Sequence, residues 1–567
     1  SGTTFKESGY GAGNVYFNGT AKQVYSSSAT VSGTINYTVN SGAYLQMGTG
    51  AAPSYFTGGG TFTLSSGATL GITDINGITT GTTQSGNIKV TGTRTYSAGA
   101  SYIYNGTAAQ VTGNGLMQNN SPVNLTIDNP AGVSLTGAVT ITGRLTMLSG
   151  SLNLSTFNIT AGSLTGSSNI STLSSGATPL ITIGSDGTSP DAYSGLISDG
   201  NGKIALTKVG AGVLTLSNAA LSYTGNTSVN AGELRLNPVS TSASFASPVI
   251  LSGGKLGTTS IVSGATINFA SVLRMTTGSS VSLGSNPHSL IFPNSSGASW
   301  TGTLTIYGWG VNGGRLFFGT TGSGLNATQL GNITFDGYSA GATITSDGEV
   351  TPAGKATVTI ATITPVVASY VDQGSKNNVV FNFRVSATGY KAVVSGLQIH
   401  LAGNFVQGDI ESIKVWYSTN SAFDASSDVL ISTIAYPAGA GTYIFPNWIN
   451  QSINVNKTGN FFITADIGCS GTVGKNFNVG AVTATDISIY ATINGTTSAG
   501  GTKTIQFVAP TPVTTGSATN DNQKSTLTWS DPVACYDEIM IVAKENSPVS
   551  GTPLGNGSAY TASLVYG

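Results

Sequence analysis

Histidine is the first residue to seek in acid–base or nucleophilic catalysis, and this sequence holds two, His288 and His400. A hydroxyl–imidazole–carboxylate triad draws on distant positions, so spacing alone decides nothing. His288 stands in Asn286-Pro287-His288-Ser289, which reads as a loop, and His400 closes the strand-like run Leu397-Gln398-Ile399-His400. Neither has neighbours that mark a catalytic base. Without clustered cysteines they do not make a structural zinc site either. No catalytic residue is assigned.

Carboxylates are the next resource. Glycoside hydrolysis needs a carboxylate pair, and polysaccharide lyases need acidic calcium ligands with a nearby cation. The acidic cluster that best suits such chemistry in the first two-thirds is Asp186, Asp191 and Asp199, set among Gly and Ser. Asp in such company commonly bonds its own backbone in turns, which is the plainer reading. A second acidic loop, Asn420 to Asp428, carries Asp424 and Asp428 between two expected strands. Oxygen ligands at that spacing can hold calcium, although the full EF-hand spacing is missing. These two are the candidate metal ligands, and calcium is the single cofactor considered.

Two further groups bear on surfaces. Thr-x-Thr pairs occur at Thr61/Thr63, Thr91/Thr93, Thr140/Thr142, Thr303/Thr305 and Thr343/Thr345. Stacked on one flat face they would order water or ice, or dock a sugar polymer, but Thr is also simply a good outward-facing strand residue. Trp300, Trp309, Trp416 and Trp448 have rings that stack on glycans; buried packing is the commoner fate of Trp.

The elements that must position these residues are β-strands. Apolar pairs two residues apart recur throughout the first 352 residues, as in Val139/Ile141, Leu145/Met147, Leu152/Leu154, Leu214/Leu216 and Leu234/Leu236. Each pair puts two side chains on one face of a strand. Corners such as Ser66-Gly67-Ala68, Ser175-Gly176-Ala177 and Ser263-Gly264-Ala265 separate them, and no helical period is evident. The step from Leu214 to Leu234 suits one turn of a coil of about 20 residues. A longer echo links Phe17-Asn18-Gly19-Thr20-Ala21-Lys22-Gln23-Val24 with Tyr104-Asn105-Gly106-Thr107-Ala108-Ala109-Gln110-Val111. Repeats of this kind stack neighbour on neighbour. The expectation is a parallel β-solenoid over 1–352, a rod roughly 80 Å long with rungs ~4.8 Å apart; the alternative is a string of antiparallel sandwiches.

From 366 to 508 the alternating runs lengthen, as in Val379–Val385 and Ile413–Tyr417, which predicts a β-sandwich. Ala509–Gly516 reads as a stiff linker. Residues 517–567, with Leu527-Thr528-Trp529 and Ile539–Ala543, read as a second sandwich cut short.

Composition sets the limits. The chain has 567 residues, of which 8% are charged, against about 25% in ordinary globular proteins. The net charge of −1 supplies no basic field, which argues against nucleic-acid partners. No apolar run approaches the ~18 residues of a membrane-spanning helix. Cys469 and Cys535 fall in what read as different modules, outside any C-x-x-C pair, so two buried thiols are expected.

Three stretches resemble known families. Gly202–Leu216, continuing into Tyr223–Leu236, resembles the passenger-associated repeat of autotransporter and related bacterial surface proteins, which implies a right-handed parallel β-helix. Trp300–Trp309, with Gln329–Phe335 and Gly341–Pro352, resembles the closing rungs of such regions. Leu527-Thr528-Trp529-Ser530 with Cys535-Tyr536-Asp537-Glu538-Ile539 is similar to a fibronectin type III-like module of large secreted Bacteroidota proteins, which implies type IX secretion. The middle module resembles, more loosely, a sandwich of secreted multidomain proteins, including sialidase-like ones, with no sialidase catalytic repeat.

The expected protein is therefore all-β, secreted or on a bacterial cell surface, and not an enzyme. Its expected role is a structural, adhesin-like stalk presenting further modules, with glycans or other cell surfaces as partners and outer-membrane export machinery met during secretion. The alternatives are a non-catalytic spacer of a larger secreted hydrolase or nuclease, and a carbohydrate-binding surface protein.

Overall fold

The computed structural model describes residues 4–530 and Cys535, apart from 7–10, 28, 49–53, 117–120, 259–260, 285, 311–312, 509–513 and 522–523. The chain divides into two compact units, Ser1–Gly354 and Lys355–Gly567.

The first unit is a parallel β-solenoid. Its longest sheet has 12 strands, nearly every one hydrogen-bonded to the strand one turn earlier and the strand one turn later. The apolar pairs read from sequence all point inward and are buried. They stack into columns: Leu45, Leu70, Tyr102, Leu125, Leu145 and Leu164 pair successively in register. A second column runs Leu214, Leu234, Leu256, Val281, Ile306, Phe335. On another face Phe245, Phe269, Phe292 and Phe318 stack, with ring centroids 5.5, 3.9 and 5.5 Å apart. A single turn cannot bury such a face; the neighbouring rung does it.

Turns are longer than the 20-residue estimate at several places, since one runs from Leu70 to Tyr102 and another from Ile306 to Phe335. The same residues therefore make fewer rungs and a shorter rod than expected. The echo between residues 17–24 and 104–111 is a corner motif, not a whole repeated turn. In both copies the glutamine amide oxygen accepts from the glycine N–H four residues earlier, Gln23 from Gly19 at 2.8 Å and Gln110 from Gly106 at 2.9 Å. The copies serve different corners, because the strands they join belong to different sheets.

The solenoid also contains one helical turn, Ala327–Gly331, contrary to the purely β expectation. Asn326 caps it and Gln329 bonds back to the Asn326 N–H, a capping box strong enough to set a turn without any apolar period. An antiparallel hairpin, Ala342–Ile344 with Val350–Pro352, follows. Glu349 within it pairs with Arg315 at 2.6 Å and accepts from the Trp309 indole at 3.3 Å. Antiparallel pairing closes the series of parallel rungs there.

In the second unit, two sheets cover one apolar cluster that includes Val358, Phe383, Ile399, Val415, Phe461 and Val479. One sheet has six strands in the order Val429–Ala435, Ile410–Ser418, Lys457–Ile467, Asn378–Thr388, Ala356–Ala361, Ala491–Asn494. The other has seven, with Ala392–Gly403 pairing four neighbours. The strand Ala356–Ala361 lies ahead of position 366, where lengthening runs set the expected start. It is short but pairs on both sides, with Asn378–Thr388 and Ala491–Asn494.

Thr514–Gly516, expected in the linker, belongs to the strand Thr514–Asp521, which pairs antiparallel with Lys524–Ser530. Its Thr-Thr pair suits a strand better than a stiff connector. Ile539–Ala543 and the rest of the fibronectin-like stretch beyond Ser530, Cys535 excepted, lie outside the described residues. The cysteines require a correction. Cys469 and Cys535 are joined in a disulfide, with Cα atoms 5.1 Å apart. Their distance in sequence concealed a proximity that the fold creates.

Candidate functional site

His288 is not in a loop. It opens the strand His288–Phe292 and points inward with Leu290 and Phe292, all buried. Its Nδ1 lies 2.7 Å from the Asn286 carbonyl and its Nε2 2.8 Å from Thr258 Oγ1. Burial pushes its pKa below the usual imidazole value, against the opposing pull of the Asn286 carbonyl. Such a histidine packs and stays neutral.

His400 lies within the strand Ala392–Gly403, half exposed, between Thr442 Oγ1 at 2.9 Å and Asp486 Oδ1 at 3.0 Å. This is a hydroxyl–imidazole–carboxylate row that the sequence did not reveal, since Thr442 and Asp486 are distant in chain order. Asp486 also accepts from Gln398 Nε2, Thr483 N–H and the Thr483 hydroxyl. Its side chain is buried, which raises a carboxyl pKa, but these donors prevail and hold it below the usual range. The row brackets the edge strand Gly441–Ile444 and the turn Ala484–Asp486 to the strand between them.

Asp424 and Asp428 face their own loop. Asp424 Oδ1 accepts from the Ser426 N–H and hydroxyl at 2.9 and 2.7 Å, and Oδ2 from the Ser427 hydroxyl at 3.0 Å. Asp428 Oδ2 accepts from the Asp424 N–H at 2.9 Å. The Ser426 hydroxyl, then its N–H and the Ser427 hydroxyl, hold the Asp424 carboxyl below its ordinary value. Among the described residues no three His, Cys, Asp or Glu come together as a metal site.

All four tryptophan N–H groups singled out are used internally. Trp300 donates to the Leu273 carbonyl, Trp309 to Glu349, Trp416 to Thr464 Oγ1 and Trp448 to the Val394 carbonyl. The threonines form several outward columns, among them Thr38–Thr63–Thr95, Thr126–Thr146–Thr165 and Thr140–Thr160–Thr182–Thr207. Two residues beyond each member of the last column stand Thr142, Gly162, Gly184 and Val209, so that column is one residue wide and no flat Thr-x-Thr array forms along it.

Of the three acidic residues in the Gly/Ser stretch, Asp199 ties adjacent turns, accepting from the Ile204 N–H and from the N–H and hydroxyl of Thr224. Asp191 is exposed. Asp186 is different, for it borders a groove of about 470 Å³ on the outer face of the solenoid. The floor comes from Ile103, Thr126 and Thr146, in register on successive rungs. Ser101, Asn124, Arg144 and Ser163 line one side. The loop after Leu180–Ile183 forms the end, where Tyr193 alone bridges Gly166 and Leu216 in place of a full strand. Asp186 Oδ1 accepts from the Thr188 N–H and hydroxyl, both at 2.8 Å. Partial burial works to raise its pKa, but the Thr188 N–H, the Ser163 hydroxyl, the Thr188 hydroxyl and the nearby Arg144 outweigh it and hold it low. Oδ2 lies 2.8 Å from where a Cβ on Gly162 would stand.

The stretch from Leu206 to Leu236 shows how one repeat builds a corner. Lys208 points inward, 1% exposed, and its Nζ donates to the carbonyls of Val209 at 2.6 Å, Gly210 at 2.9 Å and Ala231 at 3.3 Å. One ammonium thus fastens the corners of two rungs. Burial lowers its pKa, with Asp186 and Glu233 opposing. Gly210 and Gly232 adopt φ of +66° and +61°, a region that favours glycine. A Cβ on Gly232 would stand 2.4 Å from the Gly210 carbonyl oxygen.

Parallel rungs, stacked corners and continuous apolar columns define a parallel β-solenoid protein. Within it, residues 206–236 match the Passenger-associated-transport-repeat family. No curated protein matches the chain. The repeat and the solenoid together support a secreted or surface β-helix protein of passenger type. Among the described residues no helix is long and apolar enough to cross a membrane.

Proposed function

We propose that this protein is a bacterial cell-surface or secreted stalk, adhesin-like and without catalytic activity of its own. The solenoid acts mechanically: its rungs share backbone hydrogen bonds and buried columns, so that it keeps its length while holding further modules away from the cell. The single observation behind this reading is the unbroken register of inward side chains, Leu214 through Phe335. The disulfide Cys469–Cys535 is in keeping with an oxidising, extracellular compartment. The second unit, two sheets over one core, is read as a β-sandwich, and the hairpin after it as the start of a fibronectin type III-like module. That company favours a Bacteroidota origin and type IX export.

Immunogold electron microscopy of producing cells tests the role. Label against the second unit should stand off from the outer membrane, and deleting two complete solenoid turns should bring it closer. Label confined to the cytoplasm, or a stand-off indifferent to the deletion, would refute the stalk. Incubation with a polysaccharide panel should release no new reducing ends; their appearance would refute the non-catalytic reading.

A further inference from the structure

The groove on the solenoid carries chemistry that a mechanical stalk does not need. The geometry points to a binding site in it for a neutral, linear glycan, lying across successive rungs. The stalk reading does not depend on this site, because a rod holds modules apart whether or not its flank binds sugar.

Four observations converge. The volume, about 470 Å³, is that of a small-molecule or oligosaccharide subsite. Both hydrogen-bonding signs are on offer: the Arg144 guanidinium is exposed, and the Asp186 carboxylate, which accepts from Thr188 on Oδ1, stands near Arg144 and Ser163. The Ser163 hydroxyl lines the groove and is buried; it stands close enough to help hold the Asp186 carboxyl low, yet completes no hydrogen bond of ordinary geometry with a protein atom. A buried hydroxyl left unpaired is costly, and a ligand hydroxyl reaching it would remove that cost. Finally, Ile103, Thr126 and Thr146, in register on successive rungs, bring both methyl groups and hydroxyls to the floor.

That mixture selects the ligand. A sugar ring presents both C–H faces and hydroxyls that donate and accept, and so uses the methyls, Arg144 and Asp186 together. A polyanion would meet Arg144 favourably but be repelled by Asp186. Rungs recur every ~4.8 Å, comparable with one sugar ring, so consecutive sugars of a chain meet consecutive rungs.

Isothermal titration calorimetry of the full chain tests the site with cellohexaose, laminarihexaose, xylohexaose and mannohexaose, and with hexagalacturonate as the charged arm. At least one neutral hexaose should bind saturably. Arg144→Ala, which removes an exposed side chain, should weaken it about tenfold. Thr146→Trp should block it, and Thr207→Ala, outside the groove's lining, should leave it unchanged. Circular dichroism confirms that each variant is folded. Binding by none of the neutral chains at millimolar concentration, binding by hexagalacturonate alone, or affinity indifferent to Arg144→Ala and Thr146→Trp would overturn the proposal.

Discussion

Gly314 lies one rung above His288, so close that a Cβ on the glycine would stand 2.4 Å from the imidazole Cε1. The histidine and the glycine share one position's worth of space. Gly314→Ala should therefore force the ring or the rung to move and destabilise the solenoid by about 1–3 kcal/mol. Urea denaturation followed by far-ultraviolet circular dichroism reads the change. A variant as stable as the wild type would mean the rungs are looser than this packing implies.

The same histidine makes the solenoid acid-sensitive. Its folded pKa lies below the unfolded value of 6.5 because it is buried. Above pH 6.5 both states are neutral and the stabilisation is complete. As pH falls below 6.5 the unfolded chain takes up the proton first, so stability declines until the folded pKa is passed. For one proton the slope is at most about 1.4 kcal/mol per pH unit. Chemical denaturation midpoints should fall between about pH 7.5 and about pH 5.5, and by less in His288→Gln.

Lys208 gives a prediction inside the passenger-type repeat. Its ammonium satisfies three carbonyls from two rungs. Lys208→Ala leaves those carbonyls without their donor and a void around the lost stem, for an expected loss of about 2–4 kcal/mol. Hydrogen exchange should show faster opening of Ala205–Lys208 and of the corner at Ala231, with the second unit unaffected. Protection unchanged at Ala231 would deny Lys208 its role as a fastener.

Much of the solenoid was legible because its signal is local. Leu214, Leu216, Leu234 and Leu236 are inward for the reason their spacing gives, and they pair with each other one turn apart. His288 was misplaced although His288, Leu290 and Phe292 already alternate; Pro287 and Ser289 beside it suggested a loop. What failed depends on distance. The groove gathers Ser101, Asn124, Arg144, Ser163 and Asp186 from separate turns, and their convergence follows only from the register of stacking. Thr442 and Asp486 reach His400 from other strands and turns in the same way.

At the second acidic loop, the expected outcome is that calcium adds no saturable heat in calorimetry. Asp424 already receives donors on both carboxylate oxygens, and a cation would have to displace them. Asp424→Ala should loosen the loop, read as faster proteolysis between Ser418 and Val429. Saturable calcium heat, lost in Asp424→Ala, would instead make the two aspartates ligands.

The disulfide supplies the last prediction. Cys469 and Cys535 are 66 residues apart in sequence, so the bond closes a long loop in the unfolded chain. In the chain-entropy account a loop of that length is worth about 4 kcal/mol of stability. The loop contains the strands Asn476–Val479, Ala491–Asn494 and Lys503–Gln506, which complete both sheets of the second unit. Reduction, or Cys535→Ser, should therefore lower the second unit's thermal midpoint and leave the solenoid's unchanged, since no cysteine lies there. Mass spectrometry after alkylation in denaturant should find no free thiol until a reductant is added. Two thiols alkylated without reductant would show that the protein matures unbridged, and with them would go the argument from an oxidising compartment.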